Sequence, residues 1–259
     1  MKLIRLFSLC PFLLSSFDGL AKVIRLSTGE YPPYFTQTMK HDGFITHLIN
    51  EAFLAAPEPM QIEVKFLPWK RAYQEAKEGK YHGSFAWSNA PVHQPFFRMS
   101  EPVLYDTPTF LIIRGQGPKK WDSLEDFQSF RIGATIGYTY TQAFWEGKKS
   151  GRLKIEENRT DKNNIQKLIA GRIHVFPVDK LVGEYTIACF FKVHRASFQW
   201  LEKPLNRVSA HLFFPRIRDD AKYLQQQFNA GLETLKKTGK YQEIYQRLKE
   251  GYYEPSCEE

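Results

Sequence analysis

Residues 68–102 concentrate side chains able to bind a small molecule. Trp69, Ala72, Tyr73 and Ala76 recur at helical spacing after Pro68, and residues 83–87 then form a short apolar strand. Ser88 and Asn89 follow that strand directly, and His93 lies in the loop beyond it. Ligands of α/β proteins settle outside the carboxyl ends of strands, so this loop is a candidate site. Ser88 and Asn89 can supply hydrogen bonds, while Trp87 and Tyr34 can wall a cleft and face a cation. Arg71 shares the first turn of the helix with Lys70, where the macrodipole opposes positive charge. It either points into the cleft toward an anion or is screened by solvent. Asp179 ends another apolar strand, at residues 173–178, and suits both a helix N-cap and a cleft carboxylate.

The elements around these residues alternate. A strand at 23–27 leads into the turn Gly29-Glu30-Tyr31-Pro32-Pro33-Tyr34. A helix from Phe44 carries Leu48, Ile49, Ala52 and Phe53 on one face, and residues 62–66 alternate as a strand should. Strand, helix, strand, helix, strand implies a parallel sheet. The apolar run 103–113 ends at the connector Gly115-Gln116-Gly117-Pro118. A second unit follows, with strands at 132–136, 153–156 and 173–178 and helices at 138–145 and 163–170. One more strand at 209–214 precedes closing helices at 221–235 and 241–248. Two α/β units alike in element order, joined twice by extended segments, imply two lobes facing a cleft.

Composition narrows the function. Residues 1–21 have the form of an export signal: Lys2 and Arg5, an apolar stretch at 6–17, and Gly19-Leu20-Ala21 at the cleavage point. The apolar stretch is shorter than the roughly 20 residues a bilayer requires, so no stable membrane insertion is expected after cleavage. Leu9 before Cys10 argues against lipoprotein processing. The formal charge of +8 is spread along the chain with acids interleaved. No basic stripe interleaved with aromatics offers a nucleic-acid groove. Cys189, in an apolar stretch, reads as a buried thiol, and Cys257 lies in the tail. An exporting route permits a disulfide between them, but their spacing does not place them within reach. No CxxC, HExxH or grouped ligand pattern calls for a metal, and no cofactor is expected.

Glu30-Tyr31-Pro32-Pro33-Tyr34, Asp42-Gly43-Phe44, Gly79-Lys80-Tyr81-His82-Gly83, Gly137-Tyr138-Thr139 and Gly171-Arg172-Ile173 occur together in this order. With the ending Leu235-Lys236-Lys237-Thr238-Gly239-Lys240-Tyr241, they resemble the family 3 bacterial extracellular solute-binding proteins, the polar-amino-acid type that feeds ABC transporters. The resemblance covers essentially the whole chain after residue 21. It implies a two-lobed periplasmic-binding-protein-like α/β fold, each lobe a mixed, mostly parallel sheet flanked by helices, joined by two hinge strands. Lobe 1 would comprise residues 22–112 and 206–259, and lobe 2 residues 113–205.

The resemblance also implies roles. Family members grip an α-carboxylate with an arginine after the third strand, bidentately. His93 holds that position here, and a neutral imidazole cannot form the fork. Gly137, Tyr138 and Thr139 match the helix start whose backbone amides hold the same carboxylate. Asp179 matches the acid that pairs with the ligand's amino group, and His174 stands where the family has Asp in the preceding strand. The expected function is a periplasmic, monomeric, non-enzymatic protein of Gram-negative type. It would capture a small polar, amino-acid-like or amine-bearing solute and deliver it to an ABC permease. The alternatives are a sensor or interaction module on the same fold that has lost ordinary amino-acid binding and, less favoured, a cyclohexadienyl-dehydratase-like enzyme.

Overall fold

The computed structural model describes residues 22–253 and Cys257. The expected export signal lies outside the described residues, and no helix among those described is long and apolar enough to cross a membrane. The strands are β1 (Lys22–Thr28), β2 (Met60–Phe66), β3 (Gly83–Ser88), β4 (Phe97–Met99), β5 (Leu104–Asp106) and β6 (Thr109–Ile113). They continue with β7 (Arg131–Thr135), β8 (Lys154–Asn158), β9 (Val175–Val178), β10 (Phe198–Pro204) and β11 (Val208–Pro215). The helices are α1 (Phe44–Leu54), α2 (Trp69–Lys77), α3 (Gln142–Lys149), α4 (Asp161–Ile169), α5 (Lys180–Phe190), α6 (Ala221–Lys237) and α7 (Lys240–Lys249).

Two sheets form. The first runs β2-β1-β3-β11-β4 with β5 also on β11, and the second runs β10-β6-β9-β7-β8. Each has a parallel core of three strands, β2-β1-β3 and β8-β7-β9, as helical crossovers require. The remaining pairings are antiparallel. The antiparallel share exceeds the expectation because the strands that carry the chain between sheets enter against the parallel core. The apolar run at 103–113 is not one strand: Thr107-Pro108 breaks it, leaving β5 in the first sheet and β6 in the second. The passage between sheets therefore falls at 107–108, ahead of the expected boundary after residue 112. The return passage is at 205–207, and Leu205 N–H donates to Pro108 O at 2.8 Å, tying the two together.

Apolar faces follow the periodicity. Phe44, Leu48, Ile49, Ala52 and Phe53 of α1 are buried with Leu224, Phe228, Leu232 and Leu235 of α6 and Ile24 and Leu26 of β1. A separate cluster of Phe110, Phe127, Ile132, Phe144 and Leu201 fills one side of the second sheet. The expected helix at 138–145 begins later, at Gln142, because the Thr141 hydroxyl caps it by accepting from Phe144 N–H at 3.2 Å.

Two histidines perform one task at equivalent positions. His82 precedes β3 and its Nδ1 accepts from Arg25 N–H at 3.0 Å; His174 precedes β9 and its Nδ1 accepts from Arg131 N–H at 2.9 Å. Backbone bonds in the reverse direction complete each pair at 2.8 and 2.7 Å. His174 thus supplies the acceptor that an Asp side chain would supply there.

Helices α6 and α1 approach closely at Gly231, where an added Cβ would lie 1.8 Å from the Ala52 carbonyl oxygen. Overpacking of this kind costs about 1–3 kcal/mol. Gly231→Ala is expected to lower the unfolding free energy by that amount, seen as a lower urea midpoint at an unchanged slope.

Candidate functional site

The carboxyl ends of β1 and β3 in the first sheet face those of β7 and β9 in the second across a cleft. Its inner part, about 100 Å³, is lined by Tyr31, Trp69, Trp87 and Ser88 from one side and Gly137, Tyr138, Thr139, Tyr140 and Asp179 from the other. Asp106 and Val208, Ser209 and Ala210 line it from the crossing strands. An outer part of about 830 Å³ adds Lys70, Tyr73, Gln74, Asn89, His93, Gln142 and Glu146.

A β-bulge aims the β3 residues. Opposite β11, Ser88 pairs with Ala210 and Trp87 with His211, but Leu212 pairs with Phe85, so Ala86 has no partner and takes φ +69°. The Trp87 indole N–H donates to Ser84 Oγ at 2.8 Å, and Ser88 Oγ is buried without a hydrogen-bond partner. On the other side Gly137, at φ +89°, lies against α2; a Cβ there would stand 2.9 Å from Trp69 Cβ. Only glycine suits both the conformation and that approach.

Two carboxyls meet in the inner cavity. Asp179 caps α5, its Oδ1 accepting from Val182 N–H at 3.1 Å and from the Tyr34 hydroxyl at 3.3 Å, so the cap and cleft readings are both satisfied. Tyr34 is therefore a prop behind Asp179 rather than a wall of the inner cavity. Asp106 ends β5; its Oδ2 accepts from the Tyr31 hydroxyl at 3.1 Å, and its Oδ1 is buried without a partner. Burial first, and the neighbouring charge of Asp179 second, push the Asp106 carboxyl up to about 8. Burial also keeps the Tyr31 and Tyr138 phenols protonated, as donors.

Aromatic rings surround the carboxyls. Tyr31, Trp69 and Tyr138 stand nearly perpendicular to one another, with centroids 5.8–6.2 Å apart. Tyr138 is held from below by Asp161, whose Oδ2 accepts its hydroxyl at 2.8 Å while Oδ1 accepts from Thr135 Oγ1 at 2.5 Å.

His93 is not a free loop histidine. Its ring is buried among Tyr73, Trp87 and Phe213. Nδ1 meets the Tyr73 hydroxyl at 2.9 Å, and Nε2 faces Thr139 Oγ1 across the cleft at 3.5 Å. Burial lowers its pKa to about 4, so it carries no charge to a ligand near neutral pH. Thr139 precedes the α3 cap rather than starting the helix. Arg71 departs from the cleft reading: it lies on the exposed face of α2 in an ion pair with Glu75 at 2.7 Å. An i,i+4 partner stabilises it there, which the first-turn dipole argument left out. Asn89 is exposed and reaches only the outer part.

Sequence reasoning missed Asp106 and Asp161. Asp106 is hidden inside the 103–113 run; its signal was Pro108, which cannot continue a central strand. Cys189 is also not a buried thiol: it is bonded to Cys257 with Cα atoms 5.1 Å apart.

The model of the bacterial extracellular solute-binding proteins, family 3, matches residues 24–249, and the chain belongs to that family. No curated protein sequence matches it. Among solved structures it is similar to the GluR0 ligand-binding core from Nostoc punctiforme in complex with L-glutamate, at 16% identity and TM-score 0.69, covering 87% of this chain and 98% of that one. It is similar also to the amino acid ABC transporter substrate-binding protein AbpA from Streptococcus pneumoniae bound to L-arginine, at 13% identity and TM-score 0.70, covering 90% and 96%. A histidine kinase sensor domain with similarity to periplasmic binding proteins shares 17% identity and TM-score 0.72, over 88% and 96%. These likenesses establish the two-lobed fold.

Because His93 is held neutral, the unfolded chain takes protons before the folded one. Its contribution to stability is full above about pH 6.5 and lost as pH falls toward 4. Histidine NMR titration is expected to place the His93 imidazole near pH 4, and the urea midpoint is expected to fall between pH 7 and 5. Titration near 6.5 would refute the buried placement.

Proposed function

We propose that this chain is a periplasmic solute-binding protein that captures a small polar, amine-bearing solute between two lobes for uptake through an ABC permease. The observation that carries the reading is a cavity lined from both sheets, floored by the two segments that join them. A ligand touching both sides favours approach of the lobes over separation, the population shift on which such capture rests. The lobes would comprise residues 22–106 with 208–253, and residues 109–204. Ser88, Trp87, Tyr138, Thr139 and Asp179 would contact the solute, with Asp179 taking its ammonium group. The sensor reading on the same fold keeps support from the likeness to a histidine kinase sensor domain and from the loss of the arginine fork at His93.

A broad screen of amino acids and amines is expected to yield a solute that raises the melting temperature and reduces the radius of gyration in solution scattering. Asp179→Asn preserves the helix cap. It is expected to weaken that solute at least tenfold, or about 1.4 kcal/mol. A screen giving neither stabilisation nor compaction would overturn capture, and co-purification with a membrane signalling protein would favour the sensor.

A further inference from the structure

The inner cavity is acidic beyond what one amino group needs. Asp106 and Asp179 both line it, and none of its lining residues is Lys, Arg or His. Asp106 Oδ1 is buried with no donor of its own, and the proton that its carboxyl retains is shared toward Asp179. The position that could have offset this charge, His93, is a ring packed among other rings, 7% exposed. An α-carboxylate brought into this space would add negative charge to an acid pair that already retains a proton, with no Lys, Arg or His lining the cavity to offset it. A cation meets the opposite conditions. It finds two adjacent carboxyls whose shared proton it can replace, and a wall of aromatic rings, Tyr31, Trp69 and Tyr138, of the kind that accompanies ammonium and guanidinium groups. The inner cavity's volume, about 100 Å³, is smaller than the roughly 150 Å³ cavity that takes up benzene, which limits the inner ligand group to a small head group. The outer part has polar side chains for the rest of the molecule.

We propose that the inner cavity takes the charged nitrogen of an organic cation that carries no carboxylate, held between the carboxyls of Asp106 and Asp179. The inference rests on the solute-binding reading above and names its ligand class. It makes Asp106 a specificity-determining residue: Asp179 alone would accept any amine, whereas the second acid disfavours the zwitterion.

Proton linkage supplies an independent readout. The empty cavity holds the Asp106 carboxyl protonated up to about pH 8. A bound cation stabilises the carboxylate, so binding below that pH expels a proton to solvent, and affinity rises with pH until the empty site is itself ionised.

Titration calorimetry with two matched pairs, agmatine against L-arginine and cadaverine against L-lysine, and with L-glutamate, tests this at pH 7 in two buffers of different ionisation enthalpy. In each pair the decarboxylated member is expected to bind at least tenfold more tightly. It is expected to release close to one proton at pH 7 and none above about pH 9. Asp106→Asn, which can still accept the Tyr31 hydroxyl, is expected to bind agmatine at least tenfold more weakly and release no proton. The melting temperature of the empty variant reports its folding. If L-arginine or L-glutamate bound as tightly as agmatine, with compaction, the ligand class would be overturned while solute capture stood. Binding of agmatine by Asp106→Asn within threefold of the parent, or without proton release by the parent, would also overturn it. Silence of the whole panel would overturn the inference, and only the broader screen would then decide capture.

Discussion

The structure depends on the two places where the chain passes from one sheet to the other. Residues 107–108 lead out and 205–207 lead back, and the Leu205 N–H to Pro108 O bond holds them side by side. The cleft carboxyls are placed by the same passages. Asp106 is the last residue of β5, paired with Val208 of β11. Thr109, at the start of β6, pairs with Val178, the last residue of β9. Asp179 must then emerge next to Pro108, within reach of Asp106, although 73 residues separate the two acids in the chain. The register of a short antiparallel ladder, and no local feature of either acid, brings two like charges together.

That meeting would be unfavourable in a dry interior unless charge were suppressed or shared. Two phenols moderate it, and a third serves the neighbouring acid Asp161. Tyr31 donates to Asp106, Tyr34 to Asp179 and Tyr138 to Asp161. Each tyrosine thus has a polar end fixed on a carboxyl and an apolar ring, with the rings of Tyr31 and Tyr138 turned to the cavity. Ring orientation and acid placement are therefore one problem, and the density of aromatics in residues 29–35 and 137–140 is explained by it. Thr135, accepting from Asn164 Nδ2 at 3.0 Å and donating to Asp161, extends the same network into the second sheet.

Much of the fold was legible in the residues. Period-two and helical patterns located the parallel cores, and punctuation such as Gly79 and Gly171 marked the helix ends. What was not legible is what tertiary register decides. Helix α3 starts four residues beyond the expectation because Thr141, not Gly137, caps it. Strands β5 and β6 read as one because apolar content continues across Thr107-Pro108. At the cleft, strand-end position leads to Trp87, Ser88 and Asp179, which line it and whose neighbours in sequence announce them. It misjudged Tyr34, whose hydroxyl reaches across to Asp179, and Arg71, whose nearest acid lies one turn along its own helix. The same rule could not find Asp106, whose partner lies in another sheet.

The bond between Cys189 and Cys257 makes the molecule a closed loop in a sense the two passages do not. Cys189 belongs to α5, on the second sheet's side, while Tyr253 is buried against α1 on the first, its hydroxyl 2.6 Å from His47 Nδ1. Four peptide units join Tyr253 to Cys257, a leash of at most about 14 Å. The two sheets' sides are thus tied twice, through the passages at one place and through this leash at another. While Tyr253 stays docked, the leash and the bond limit how far Cys189 of α5 can lie from Tyr253. An oxidising compartment would fit the mooring; a reducing one would cast it off.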